Sequence, residues 1–225
     1  MFFYDTHTHR HEIHRNKRAI ISVDIRKPFE PIRSTHACYA VGVHPWQVDA
    51  RDPETVNQLF DKVRQLAILS EIAAIGETGL DKNTAKSTGD YLFQQEIFSL
   101  HARLSEAVKK PLIIHCVKAW DGLLHVRQSI LPTMPWIIHG FRGKIPLATQ
   151  LLNTGFYLSF GIHYQIESLK SAWEKRRLLL ETDDKNIDIR DVYKQVAVDL
   201  SVSDQELANE IQVISSRFPA LGVQK

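Results

Sequence analysis

The sequence predicts an α/β fold, a (β/α)8 TIM barrel slightly trimmed, with its first two helices reduced. Three observations predict it. Eight short apolar runs recur along the chain, at 2–9, 19–25, 38–44, 73–77, 111–115, 135–139, 155–161 and 177–183. From the third run onward, stretches of helical period separate them. Five of the runs, FFYDTHTH, AAIGE, PLIIH, PWIIH and RLLLETD, end in residues able to bind metal. Polar groups at the ends of so many separate strands suit a closed ring better than an open, doubly wound sheet.

Taken in order, continuous apolar runs of this length suit strands buried on both faces, as in a parallel sheet covered by helices. After the first strand, residues 10–18 are too short and polar for a packed helix, and residues 26–37 carry Pro28 and Pro31, which break helical patterns. Residues 53–69 open with Pro and bring Val56, Leu59, Phe60, Val63 and Leu66 to helix spacing. Residues 90–109 align Leu92, Phe93, Ile97, Leu100, Leu104 and Val108 on one face and stop at Lys109, Lys110 and Pro111. Shorter helices are expected over 121–130, 144–153 and 165–175, and 188–217 reads as two more. The last piece, with Leu207, Ile211, Ile214 and Phe218, is expected to seal the thinly covered side of the barrel unless a partner subunit does.

With 225 residues, 44% hydrophobic and 24% charged, the chain can bury a sizeable core. No linker or low-complexity stretch divides it, so 1–225 is expected to be a single domain. Twenty-eight Lys+Arg against 26 Asp+Glu leave +2, which argues neither for nor against a polyanionic partner. Cys38 and Cys116 form no C-x-x-C, so neither a thiolate zinc cage nor a disulfide scaffold is available. No apolar run approaches the ~18 residues of a membrane span. The start has no basic leader with an apolar core. A cytoplasmic chain with no membrane partner is the expectation.

Histidine is in surplus, eleven in all. Residues i and i+2 of a strand point the same way, so His7 and His9 project together, with Asp5 one step behind. Glu77 directly follows a buried strand, where a carboxylate is costly unless something positive meets it. His115 and His139 end two nearly identical strands, and Asp183 closes LLLETD. Each has an ordinary reading: a chance pair, a helix cap or buried salt bridge, a structural histidine, a turn aspartate. On the barrel reading, however, all six emerge at the rim where barrel enzymes place their chemistry. Four imidazoles and two carboxylates suffice for two divalent ions (zinc, manganese or magnesium) sharing one carboxylate.

The ordered motifs DTHTH, VGVHPW, AIGETGLD, PLIIHCVKA, IIHGFRG and LLLETD resemble the TatD family of metal-dependent hydrolases, from Asp5 to Asp183. The resemblance implies a two-metal barrel with His7, His9, Glu77, His115, His139 and Asp183 on the ligand positions. It implies Glu77 as bridging carboxylate and Asp183 as the base that takes a proton from the attacking water. It also implies hydrolysis of phosphodiester bonds, as a deoxyribonuclease acting on DNA or a small phosphate ester.

There are departures. Val117 stands where the family commonly has Arg, with Lys118 next to it; Arg142 enters the stretch after His139; Lys185 replaces a Pro; and the segment joining the first strands is short. His44, Lys118 and Arg142 are the expected substrate contacts, with Lys82 weaker. His11, His14, His36, His101, His125 and His163 are expected on surfaces or loops, and Cys116 in packing. Two alternatives stay open: a two-metal hydrolase of a carbonyl substrate, lactone or amide, and a non-catalytic metal-binding barrel. Monomer and homodimer are equally open.

Overall fold

The computed structural model describes residues 2–11 and 16–218; His14 lies outside them. Eight strands form one parallel sheet in sequence order: β1 Phe3–Thr8, β2 Lys17–Asp24, β3 Ala37–Gly42, β4 Ile72–Asp81, β5 Leu112–Val117, β6 Trp136–Ile138, β7 Tyr157–Phe160 and β8 Leu178–Leu180. Seven described helices alternate with them: α1 Pro53–Ala67, α2 Thr88–Val108, α3 Trp120–Ile130, α4 Ile145–Asn153, α5 Ile166–Glu174, α6 Ile189–Leu200 and α7 Asp204–Ser215. Residues 25–36 contain no helix, as the two prolines dictate. The fold is the trimmed (β/α)8 barrel of the sequence reading. None of its described helices is long and apolar enough to cross a membrane.

The chain divides into two compact units, Met1–Ile21 with Arg33–Cys38 and Ile137–Lys225, and Ser22–Ile32 with Tyr39–Trp136. In the first, β8 returns to β1. Asp183 N–H donates to His7 O at 3.0 Å, and His9 N–H donates to Asp183 O at 3.1 Å. The last two helices pack behind this junction. The Tyr193 hydroxyl of α6 joins both backbone groups of Tyr4, while Leu207, Ile211 and Ile214 of α7 and the following Phe218 are fully buried. α7 lies against β1 and β8. At roughly 1.5–3 kcal/mol for each large apolar side chain, that face is a substantial part of the unit's stability.

In the second unit, Asp52 caps α1, accepting from Thr55 N–H at 3.2 Å, and Pro53 takes its first turn. Ser87 caps α2. Lys110 leaves α2 and reaches two carbonyls at the end of α1, Ala67 O and Leu69 O, at 2.6 and 2.7 Å.

The buried face of α2 differs from the apolar one its sequence offers. Leu92 is exposed and Phe93, Leu100, Leu104 and Val108 are half-buried, while Asp90, Gln94, Ile97, Phe98, His101, Ala102 and Ser105 face inward. The reason is hydrogen bonding. Gln94 Oε1 accepts Asp81 N–H at 2.9 Å, and Ser105 Oγ donates to Lys110 O. His101, expected on a solvated face, is fully buried: its Nδ1–H donates to Ile97 O at 2.8 Å, so Nε2 is left to accept Val43 N–H at 3.0 Å. Burial pushes its pKa down to about 4. These polar groups satisfy backbone at the ends of β3, β4 and β5, which an apolar face would leave unpaired. Cys116 is half-buried, and desolvation raises its thiol to about 12, in keeping with packing rather than reaction.

Candidate metal centre

In the first unit the end of β1 supplies two imidazoles on one side. His7 is almost completely buried and His9 lies half open, and the Nε2 of each stands 3.6 Å from Asp183 Oδ1. The backbone bonds to His7 and His9 hold Asp183 where β8 ends. It adopts φ 55°, a left-handed conformation that aspartate tolerates better than most residues. The ligand atoms of His7, His9 and Asp183 lie within 4.8 Å of one another, a spacing one ion can span. Behind them, Asp5 accepts from Thr182 N–H and its hydroxyl, and burial raises its carboxyl to about 7.

His139, from the end of β6, lies against His7, the rings tilted at 46° with centroids 4.3 Å apart. Its Nδ1 faces Glu181 Oε1 at 3.5 Å, and the same oxygen accepts Gly140 N–H at 2.6 Å. Glu181 is fully buried, and its other oxygen, Oε2, has no hydrogen-bond partner. Burial alone would raise this carboxyl; the contact with His139 and the nearby His7 hold it below its usual value. His139, Glu181 and Asp183 form a second ligand-spaced group. Glu181 escaped the sequence reading, although it stands two residues before Asp183, the same spacing that singled out His7 and His9.

In the second unit Glu77 meets two histidines at one oxygen. His44 Nε2 is 3.0 Å from Glu77 Oε1 and His115 Nδ1 is 3.1 Å from it. His44 Nδ1 accepts Trp46 N–H at 3.1 Å, capping the 3₁₀ turn Pro45–Gln47, so Nε2 carries the proton that Glu77 accepts. Both His44 nitrogens are thereby engaged, and the residue holds Glu77 as well as edging the site.

His115 Nε2 faces a second carboxylate, Asp81 Oδ2, at 3.1 Å, and Trp46 Nε1–H donates to that oxygen at 2.8 Å. Burial would raise Asp81, but the bonds from Trp46, His115 and Asn83 N–H outweigh it and keep the carboxyl low. A neutral imidazole has one N–H for these two carboxylates. With Nε2–H given to Asp81, the Nδ1 lone pair faces Glu77, an arrangement that a cation between them satisfies. Asp81, like Glu181, was missed, although it lies on the same strand face as Glu77. Close strand approach supports the geometry. A Cβ on Gly79 would fall 1.9 Å from His115 O, and one on Gly42 would fall 2.7 Å from Glu77 O.

Lys118 follows β5 at φ 52°, exposed, and Arg142 is exposed three residues beyond His139. His11, His125 and His163 are exposed, and His36 is half-buried against Phe2.

The family model described as TatD related DNase matches residues 23–213. The chain is 31% identical over 206 residues to the uncharacterized metal-dependent hydrolase YcfH of Escherichia coli K12, covering 81% of this chain and 72% of YcfH. It is 34% identical over 152 residues to the 3'-5' ssDNA/RNA exonuclease TatD of a Pantoea strain, covering 63% of this chain and 55% of that protein. An uncharacterized metal-dependent hydrolase of Buchnera aphidicola is 32% identical over 64% of this chain, and the chain spans 58% of its length. Among solved structures, a TatD family hydrolase from Entamoeba histolytica has the same fold at TM-score 0.74 and 17% identity, over 96% of this chain and 97% of that one.

Proposed function

From the premise that the chain belongs to the TatD family of metal-dependent hydrolases, we propose that it is a deoxyribonuclease that cleaves phosphodiester bonds with two divalent ions, zinc, manganese or magnesium. The observation that carries this reading is the convergence of ligand atoms, His7–His9–Asp183 in one unit and Glu77–His115 with His44 in the other. The donor set fits such ions: it consists of imidazoles and carboxylates with no thiolate, and it includes the unpartnered Glu181 Oε2. In this reading His7, His9, Glu77, His115, His139 and Asp183 would hold the metals. Bound there, the ions would supply an activated water and a Lewis acid for the phosphoryl oxygen.

The protein's own groups do the rest. Asp183, clamped by backbone bonds to His7 and His9, takes the proton of the attacking water at a carboxylate oxygen. Asp81 takes the Nε2–H of His115 and Glu181 lies 3.5 Å from His139 Nδ1, so each carboxylate would orient its imidazole to offer the other ring nitrogen to a metal. His44, Lys118 and Arg142 are the proposed substrate contacts: His44 through the Nε2–H that also restrains Glu77, the two cations through phosphate oxygens. The name of the Pantoea relative supports a nucleic-acid substrate. The test is hydrolysis of single-stranded DNA and of a chromogenic phosphodiester with added manganese. Metal-dependent turnover of both is expected. Turnover of neither, with cleavage of a lactone or amide instead, overturns the nuclease reading in favour of carbonyl chemistry.

A further inference from the structure

One aromatic residue at this site gives its indole N–H to Asp81, but its ring is used by none of the chemistry above. Trp46 is 68% exposed, although it stands in a tightly organised turn directly after His44 and Pro45. An isolated exposed tryptophan needs no explanation. This one is held in place. Its backbone N–H is bonded to His44 Nδ1, and its indole Nε1–H is bonded to Asp81 Oδ2 at 2.8 Å. Its ring meets those of His44 and His115 edge to face, at 4.9 and 6.0 Å between centroids. The polar edge is therefore tied inward and the rotamer set, and the exposure of the residue leaves at least one face of the indole open. A fixed, open aromatic face costs little further entropy when a flat group lies on it.

The neighbouring strand ends add charge. Lys82 follows Asp81 at the end of β4, and Lys118 follows Val117 at the end of β5; both are exposed, and Lys82 N–H donates to Val117 O at 3.1 Å, tying the two loops together. Lys82 Nζ sits 5.1 Å from the centre of the Tyr91 ring, which steadies it. An anchored aromatic face with exposed cations on neighbouring strand ends is the pattern by which proteins take a single nucleic-acid strand, stacking a base and tracking its phosphates.

We propose that Trp46 is a stacking platform for a base of single-stranded nucleic acid next to the scissile phosphate, with Lys82 and Lys118 on the adjoining phosphates. The proposal rests on the nuclease reading for the identity of the site, and its test is one of binding. Tryptophan emission of the full chain is followed, in chelator so that no bond is cut, as oligothymidylate or an abasic strand of equal length is added. The thymidylate strand quenches emission in the wild type and the abasic strand does not. Trp46→Phe abolishes the quench while keeping most of the affinity. Trp46→Ala binds the thymidylate strand on the order of ten- to a hundred-fold more weakly, with little change for the abasic strand. Lys82→Ala and Lys118→Ala weaken both strands alike and flatten the salt dependence. Equal discrimination between the strands in wild type and Trp46→Ala overturns the proposal, as does a quench that survives in Trp46→Phe. Base-dependent quenching by a protein that cleaves no phosphodiester with any added metal supports the platform and refutes the nuclease reading alone.

Discussion

His115 and His139 end nearly identical strand sequences, LIIH and WIIH, yet the two units hold them differently. His115 is caught at both ring nitrogens, between Glu77 and Asp81, and Asp81 is itself secured by Trp46 at the protein surface. His139 is oriented at Nδ1 by Glu181, which is wholly buried, and leans on the ring of His7. Both histidines have a carboxylate behind them and both carboxylates are buried, but Asp81 is bonded to the indole of the exposed Trp46 while Glu181 is wholly enclosed. The difference teaches that a repeated motif sets only the position of an imidazole; the carboxylate behind it decides what else depends on it.

The largest effect expected is at Asp183, on which the buried side of this comparison converges. Asp183→Asn lowers the rate of phosphodiester hydrolysis by roughly 10²–10⁴-fold, the usual range for a lost general base, with the far-UV circular dichroism unchanged. Retention of full activity would remove Asp183 from the role of base.

Next comes a pH effect peculiar to the unit that carries His115. His101 is buried with Nε2 accepting the Val43 N–H, so protonation would set two donors against each other. Its pKa falls from 6.5 to about 4, so the unfolded chain binds the extra proton first as pH drops. Its contribution is present above 6.5 and is lost between 6.5 and about 4, on the order of 3 kcal/mol across that window. Urea unfolding of the wild type and of His101→Gln at pH 7.5 and pH 5 reads it as the difference between the two proteins, because Asp5, raised to about 7, shifts stability the other way over this window in both. Carboxyls that the fold depresses, such as Asp24 and Glu106, lose their contribution only as pH falls below their ordinary range, so they do not mimic it.

The comparison itself is sharpened by Asp81→Asn and Glu181→Gln. Each lowers metal affinity by about 10–100-fold, measured by competition with a chelating dye. Glu181→Gln lowers thermal stability the more, since it places a second amide donor in a fully enclosed pocket, whereas Asp81→Asn keeps a carbonyl oxygen to accept the Trp46 indole N–H. Equal stability losses would erase the distinction between the two sites. Smallest is Arg142→Ala, expected to raise KM for single-stranded DNA less than tenfold with kcat nearly unchanged, as befits an exposed phosphate contact.

Much of this was legible in the chain. Buried strands alternate with helices because periodicity and proline placement are local properties, so 53–69 became α1 and 26–37 stayed a loop. The period of two that picked out His7 and His9 applies equally to Glu77–Asp81 and Glu181–Asp183, and the supporting carboxylates were visible to anyone who continued counting. The buried face of α2 was not. Leu92, Phe93 and Leu100 outscore Gln94, His101 and Ser105 on any apolar scale, and only the unpaired backbone groups of Asp81, Val43 and Lys110 explain why the polar set turns inward.

By itself, then, the sequence determined the order of elements, the trimmed start and which strand ends carry metal-binding side chains, all of which follow from neighbours a few residues apart. The tertiary structure decided which ring nitrogen each histidine presents, that Glu181 lies buried with a spare oxygen and that Trp46 is pinned yet open. Those outcomes depend on partners far along the chain, Trp46 with Asp81 and Thr8 with Asp183, whose meeting is set by strand register and close backbone approach rather than by any local preference.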